Sequence, residues 1–251
     1  MNKNVIIGSW IQTMSSVSAE LMAYCGFDFL VVDIEHSAAD YPQTQALFQA
    51  IKAGNPSCKP IVRLPGNDFA TIKRYMDAGA AGVIAPLINT ATDAKEIVRA
   101  VKYPPEGERG VGFCRDNMYG LKLEEKVNFT NKETFICVQI EHKKALENID
   151  EILTVEGVNA AFIGPYDLST SMGITAQFDH PDYRAAVKTI LDACNNHDVI
   201  AGIHVVQPDV NEVLQRIEEG FRMIGYSLDV TIISNTSING LKEIRRKLGE
   251  E

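Results

Sequence analysis

The sequence predicts an α/β fold, a (β/α)8 barrel of the TIM type running as one domain over residues 1–251. Three observations lead there. Eight short β-rich apolar runs alternate with longer segments whose apolar residues recur at helical spacing, the signature of repeated βα units around a parallel sheet. The length of 251 residues matches the roughly 250 that such a barrel takes. The main competitor, an open doubly wound sheet, would carry a G-x-G-x-x-G turn after its first strand, and Gly8-Ser9-Trp10-Ile11-Gln12-Thr13 stands there instead.

Taken in order, the eight strands are expected to end near Trp10, Asp33, Arg63, Pro86, Glu141, Gly164, His204 and Ser227. Helix signals fall between them. Asp68 precedes Ile72, Tyr75 and Met76, and Pro181 opens a segment carrying Val187, Ile190, Leu191 and Cys194. Gly79, Gly157 and Gly220 each follow a helical pattern shortly before a strand, where a left-handed cap needs glycine. The longest break, Tyr103 to Gly120, is too rich in Pro and Gly to be regular and reads as a loop after strand four, either a lid or binding segment or a linker.

Composition narrows the partners. A formal charge of −9 and no clustering of Lys and Arg exclude a nucleic-acid backbone as the ligand. The longest apolar runs, such as Phe29–Val32, fall far below the roughly 18 residues of a membrane span. The start, Met1 to Gly8, lacks the pattern of a secretory signal, so a cytoplasmic location is expected. Cys25, Cys58, Cys114, Cys137 and Cys194 stand singly and read as reduced thiols.

Chemistry gathers at the strand ends, which form the active face of a barrel. Strand two runs into Asp33-Ile34-Glu35-His36, strand three into Arg63, strand five into Gln139-Ile140-Glu141, and strand six into Gly164-Pro165-Tyr166-Asp167-Leu168-Ser169. Two carboxylates with space for waters and a substrate oxygen suit a hard divalent cation such as Mg²⁺ or Mn²⁺. Zinc is disfavoured because no compact His or Cys set accompanies them. Each residue also has a plainer reading: His36 as a packing or turn histidine, Glu141 and Asp167 as helix caps, Arg63 as half of a rim ion pair. Trp10 reads equally as pocket wall or core, and Arg109, Arg115 and Asp116 as solvated loop charges or site residues. Spacing assigns nothing to His142, His180, His197 or His204.

These motifs resemble one family over nearly the whole chain. Gly26-Phe27-Asp28-Phe29 leading to Asp33-Ile34-Glu35-His36, Val62-Arg63, Tyr103-Pro104-Pro105 through Arg109-Gly110-Val111-Gly112, Gln139-Ile140-Glu141, and Val155-Glu156-Gly157-Val158 through Gly164-Pro165-Tyr166-Asp167-Leu168-Ser169 are similar to the HpcH/HpaI aldolase and citrate lyase superfamily, in particular its metal-dependent 2-oxo-acid aldolases related to 4-hydroxy-2-oxoheptanedioate aldolase. The resemblance implies reversible cleavage of a 4-hydroxy-2-oxo acid to pyruvate and an aldehyde. It implies that Glu141 and Asp167 hold Mg²⁺, Mn²⁺ or Co²⁺, that Arg63 binds the ketone oxygen, and that His36 with Asp33 is the acid/base pair. Gln139 and the Gly164-Pro165 backbone would position the acid, and Trp10, from its place at the end of strand one, is the candidate for the pocket wall. It further implies a homo-oligomer, a hexamer, whose last helix packs on a neighbouring subunit.

Two departures bear on the aldehyde. His142 follows the metal glutamate where the family has a small residue, and Phe113-Cys114-Arg115-Asp116 replaces a stretch richer in Ala and Ser. Ser227-Leu228-Asp229-Val230-Thr231 also diverges. An acyl-coenzyme A lyase of the same superfamily and a non-catalytic metabolite-binding barrel are the competing functions.

Overall fold

Eight parallel strands pair in chain order, and the eighth closes on the first: β1 (Ile6–Ile11), β2 (Phe29–Asp33), β3 (Lys59–Arg63), β4 (Gly82–Ala85), β5 (Phe135–Ile140), β6 (Ala160–Ile163), β7 (Ile200–Val205) and β8 (Met223–Leu228). The structure, a computed structural model, describes residues 5–250. Met1–Asn4, part of the start from which a cytoplasmic location is expected, and Glu251 lie outside the described residues.

Among the described residues eleven helices surround or extend the barrel: α1 (Ser16–Tyr24), α2 (Tyr41–Gly54), α3 (Phe69–Asp77), α4 (Ala91–Val101), α5 (Leu123–Glu133), α6 (Lys143–Glu147), α7 (Ile149–Leu153), α8 (Pro165–Ser171), α9 (Pro181–Asn196), α10 (Val210–Glu219) and α11 (Asp229–Leu248). Local chemistry starts and stops them. The Asp68 carboxylate accepts the Thr71 N–H at the start of α3, and Thr90 with Asp93 forms a reciprocal capping box on α4. Gly220 ends α10 at φ +118°, a conformation that costs a side chain but not glycine. Gly79 plays the same part after α3 at φ +97°, whereas Gly157, also at positive φ, sits in a turn beyond α7 rather than capping it.

Both faces of each strand are covered, so the strands read as nearly unbroken apolar runs. Outward residues such as Leu30, Val62, Val138 and Ile163 lie under the helices. Inward residues, among them Phe29, Val31, Ile61, Ile84, Cys137 and Met223, fill the barrel. Two glycines make room for large inward rings. A Cβ on Gly225 would lie 2.3 Å from the Trp10 ring and one on Gly202 would lie 2.5 Å from Phe162, so each aromatic occupies space that a neighbouring strand vacates.

The stretch Tyr103–Gly120 follows α4 and therefore starts at the N-terminal end of the barrel strands, opposite the face where strands finish. It contains a short 3₁₀ turn, Arg115–Asn117. Arg109 is buried, bonded to Asp77 at 2.7 Å and Asp116 at 3.2 Å and seated over the Tyr103 ring. Arg115 donates to the Ala78 carbonyl at the end of α3. Within this chain, then, Arg109, Arg115 and Asp116 pin the loop to the outside of the barrel and stand apart from the strand-end residues. Charge partners on α3, invisible to local sequence reading, decide that.

Candidate active site

The register of β2 against β3 sets Asp33 directly opposite Arg63. Asp33 is fully buried, and its two oxygens accept from Arg63 Nε at 2.9 Å and Nη2 at 2.7 Å. Burial pushes the Asp33 carboxyl up, but the guanidinium overrides it and holds the group below the usual range. Burial alone would lower the Arg63 pKa, and Asp33 more than compensates. Gln12 donates to Asp33 at 2.7 Å, while Asp229 at the start of α11 accepts the Gln12 backbone N–H at 2.9 Å. This chain of bonds across β8, β1, β2 and β3 fixes the guanidinium plane.

Asp33 therefore serves Arg63. It reaches His36 only through the backbone N–H, at 3.3 Å, so the expected pairing of Asp33 with the His36 imidazole is not what the fold provides. The strand register gives both carboxylate oxygens to the neighbouring strand before the loop residue can compete. His36 is exposed at the mouth, and its ring has no hydrogen bond among the described residues. Glu35 is the unforeseen member: its Oε2 lies 3.2 Å from Arg63 Nη1, and burial raises its pKa despite that cation.

Glu141 stands one residue beyond β5 and is 5% exposed. Its Oε1 accepts the Leu87 N–H at 2.6 Å, from the loop after β4, and its Oε2 accepts the Gln139 amide. Gly164 permits this approach, since a Cβ there would lie 3.0 Å from Gln139 Nε2 and 3.1 Å from Glu141 Oε2. Burial raises the Glu141 carboxyl, and the charges of Glu35 and Asp167 add to the rise. Asp167 lies in the first turn of α8, behind Pro165, without a capping bond to its name.

A cavity of about 310 Å³ brings these parts together. Trp10, His36, Arg63, Gln139, Gly164, Pro165 and Asp167 all line it, and Asp33 and Glu141 stand immediately behind Arg63 and Gln139. Phe162, Tyr166 and His204 line it as well. Sequence reading left these out because an apolar run with one aromatic or a histidine at its end gives no sign of which way the side chain turns; position at a strand end was the available clue. His142 instead caps α6, accepting the Lys144 N–H, while His180 caps α9 and His197 pairs with Asp150.

Among the described residues no three His, Cys, Asp or Glu side chains form a ready-made metal cage. The donor chemistry nonetheless fits a hard cation. Burial, with the charges of Glu35 and Asp167 beside it, raises the cost of ionising Glu141, a deficit that a divalent ion relieves, and Mg²⁺-type ions take the remaining ligands from water and substrate oxygens.

Comparison with known proteins shows the family. The family model described as HpcH/HpaI aldolase/citrate lyase matches residues 7–236. A hydroxypyruvate/pyruvate aldolase of Roseobacter denitrificans is 34% identical over 232 residues, 92% of this chain and 89% of its own. A 4-hydroxy-2-oxo-heptane-1,7-dioate aldolase of Escherichia coli is 35% identical over 235 residues, covering 92% and 87%. Among solved structures, an HpcH/HpaI aldolase/citrate lyase family protein from Burkholderia cenocepacia superposes with a TM-score of 0.92 at 31% identity, over 96% of this chain and 95% of that one.

Proposed function

Because this chain belongs to the HpcH/HpaI aldolase/citrate lyase family, we propose that it is a divalent-metal-dependent aldolase that reversibly cleaves a 4-hydroxy-2-oxo acid into pyruvate, or a close 2-oxo acid, and an aldehyde. The observation that carries the reading is the meeting, at one cavity, of a clamped guanidinium with the Asp167 carboxylate and, immediately behind Gln139, that of Glu141, with an exposed imidazole at the mouth. Glu141 and Asp167 would hold Mg²⁺, Mn²⁺ or Co²⁺, and the cation would supply Lewis-acid polarisation of the acid's oxygens.

The chain's own residues do the rest. The cleavage direction requires a base to remove the 4-hydroxyl proton, and His36, through a water, takes it. The electrons of the C3–C4 bond then move toward the ketone, the aldehyde leaves, and the oxygen gains negative charge. Arg63 meets that charge with a guanidinium that Asp33 already holds in place, so little reorganisation is needed as the charge develops. A proton returned to C3 completes the 2-oxo acid. Gln139 and the Gly164–Pro165 turn keep the acid in register, and Trp10 walls it.

The last helix bears on assembly. α11 leaves the barrel with Val230, Ile233, Ile238, Leu241, Ile244 and Leu248 exposed on one side, while α1 exposes Val17, Leu21 and Tyr24 and α10 exposes Val210 and Leu214. Stripes of that size mark a protein interface, and we read α11 as packing on a second copy in a homo-oligomer, a hexamer by family resemblance. No helix among the described residues is long and apolar enough to cross a membrane, and a cytoplasmic enzyme with small-molecule partners is the matching setting.

The test is 2-oxo-acid release from a panel of 4-hydroxy-2-oxo acids, with coenzyme A thioesters alongside, first with EDTA and then with Mg²⁺, Mn²⁺ or Co²⁺ restored. Metal-restored aldol cleavage is expected. Undiminished turnover in demonstrably metal-free protein, or turnover of the thioesters alone, would sink the reading.

A further inference from the structure

Two residues in the wall of the cavity, His204 and Trp10, each carry a polar atom with no bonding partner among the described residues. His204 is the fifth of six residues in β7 and turns inward with Ile200 and Gly202, as strand alternation requires. Its Nε2 stands 3.1 Å from the Ser227 carbonyl oxygen. A carbonyl only accepts, so Nε2 carries the proton. Burial holds the imidazole neutral, its pKa pushed down to about 4, and Nδ1 keeps a lone pair to which nothing among the described residues donates. The ring lies flat on Trp10, with centroids 4.4 Å apart and planes 13° from parallel. Trp10 is itself 2% exposed, packs on Phe162 at 5.3 Å, and its buried indole N–H has no acceptor among the described residues.

An acceptor and a donor thus sit on stacked rings in a wall that is otherwise aromatic. Leaving the buried Trp10 N–H unbonded costs on the order of 1–3 kcal/mol, and leucine or phenylalanine in place of His204 would pack on the indole with no polar atom of its own to satisfy. A hydroxyl both donates and accepts, which makes it the complementary group. Depth says which substrate hydroxyl. His204 lies within its strand, whereas His36 lies three residues beyond the end of β2, at the mouth. The aldehyde half belongs near His36, and the carboxylate and ketone oxygens belong to Arg63 and the Glu141–Asp167 side. The carbon left to meet the Trp10–His204 wall is C3 of the 2-oxo acid.

We propose that His204, with Trp10, makes the site selective for a 2-oxo acid bearing a hydroxyl on C3 over the unsubstituted acid. The inference rests on the aldolase reading, since it takes the orientation of the acid from it. A bare methyl at C3 leaves both polar atoms unpaired, and a site built to bond a hydroxyl rejects an analogue that lacks it.

Calorimetric titration with hydroxypyruvate and with pyruvate, in the presence of Mg²⁺, measures the preference. Trp10, the single tryptophan, reports occupancy of the wall through its fluorescence. The parent is expected to bind hydroxypyruvate about tenfold or more tightly than pyruvate, His204→Leu to bring the ratio close to one, and His204→Asn, which keeps an acceptor, to retain part of it. An unchanged ratio in folded His204→Leu, or no preference in the parent, overturns the proposal. Should His204→Leu fail to fold, a preference in His204→Asn below that of the parent supports the proposal, and the full parental preference in that variant overturns it. Aldol condensation of both acids with one aldehyde separates the two readings. Product formed with no preference leaves the aldolase standing without this role for His204; a His204-dependent binding ratio with no product does the reverse; binding of neither acid defeats both.

Discussion

Arg63 owes its position to a partner one strand away. With Asp33 wholly buried and bonded to it twice, the guanidinium is held before substrate arrives, and the pair behaves as a unit. Replacing Asp33 by Ala strands a half-buried cation beside Glu35, and a loss of about 3–5 kcal/mol in denaturant-unfolding stability is expected; a change within experimental scatter would mean that the clamp is not structural. Asp33 and His36 should also separate in their effects. Folded His36→Ala should lose aldol cleavage by roughly two orders of magnitude while keeping metal-dependent oxaloacetate decarboxylation, which needs no hydroxyl proton removed. Arg63→Ala should damage both reactions, because each develops charge on the same oxygen. Equal loss of both activities in His36→Ala would remove that residue from the role of hydroxyl base.

The elements most exposed to solvent carry the next consequence. α11 buries Asp229 at its first turn, where the carboxylate accepts the backbone N–H groups of Gln12 and Thr13, and then runs on with its apolar stripe uncovered. Introducing charge into that stripe at a distance from Asp229, as in Leu241→Asp with Ile244→Asp, should reduce the mass measured by light scattering toward that of one chain while the far-ultraviolet dichroism of the barrel persists. An unaltered mass would show that α11 does not hold copies together. The loop after α4 makes the opposite point. Pro and Gly content marks it as irregular, and the bonds of Arg109 to Asp77 and Asp116 and of Arg115 to Ala78 show that it is anchored.

For the whole molecule, the carboxyls of the site set a pH dependence whose sign can be worked out. Glu141 and Glu35 both titrate above the ordinary 4.5 when folded. A raised carboxyl contributes stability that is fully present below the unfolded value and is lost as pH rises through the folded one, so these two groups weaken the metal-free fold as pH rises above the ordinary glutamate range. Asp33, lowered, acts in the other direction and only in stronger acid, below 3.8. A cation that binds the ionised carboxylates reverses the loss. The rise in melting temperature on adding Mn²⁺ should therefore be small near pH 5 and larger near pH 7.5, and Glu141→Gln should flatten that difference. An equal rise at both pH values in the parent protein would detach Glu141 from metal binding.

Strand and helix periodicity, the helix-start residues Asp68 and Pro181, and the polar residues closing strands two, three, five and six were enough to determine a (β/α)8 barrel and most of its cavity, because in this fold strand ends converge on one face whatever the loops do. Local order along the chain carries that much. Which carboxylate serves which cation was decided only by tertiary structure: the β2–β3 register gave Asp33 to Arg63, and burial with Asp77 and Asp116 took Arg109 out of the cavity. His204 was decided there too, since its stacking on Trp10 depends on the space left by Gly225, more than two hundred residues along the chain from the indole that fills it. Register, burial and such vacated space are relations between segments distant in sequence, and no window along the chain contains them.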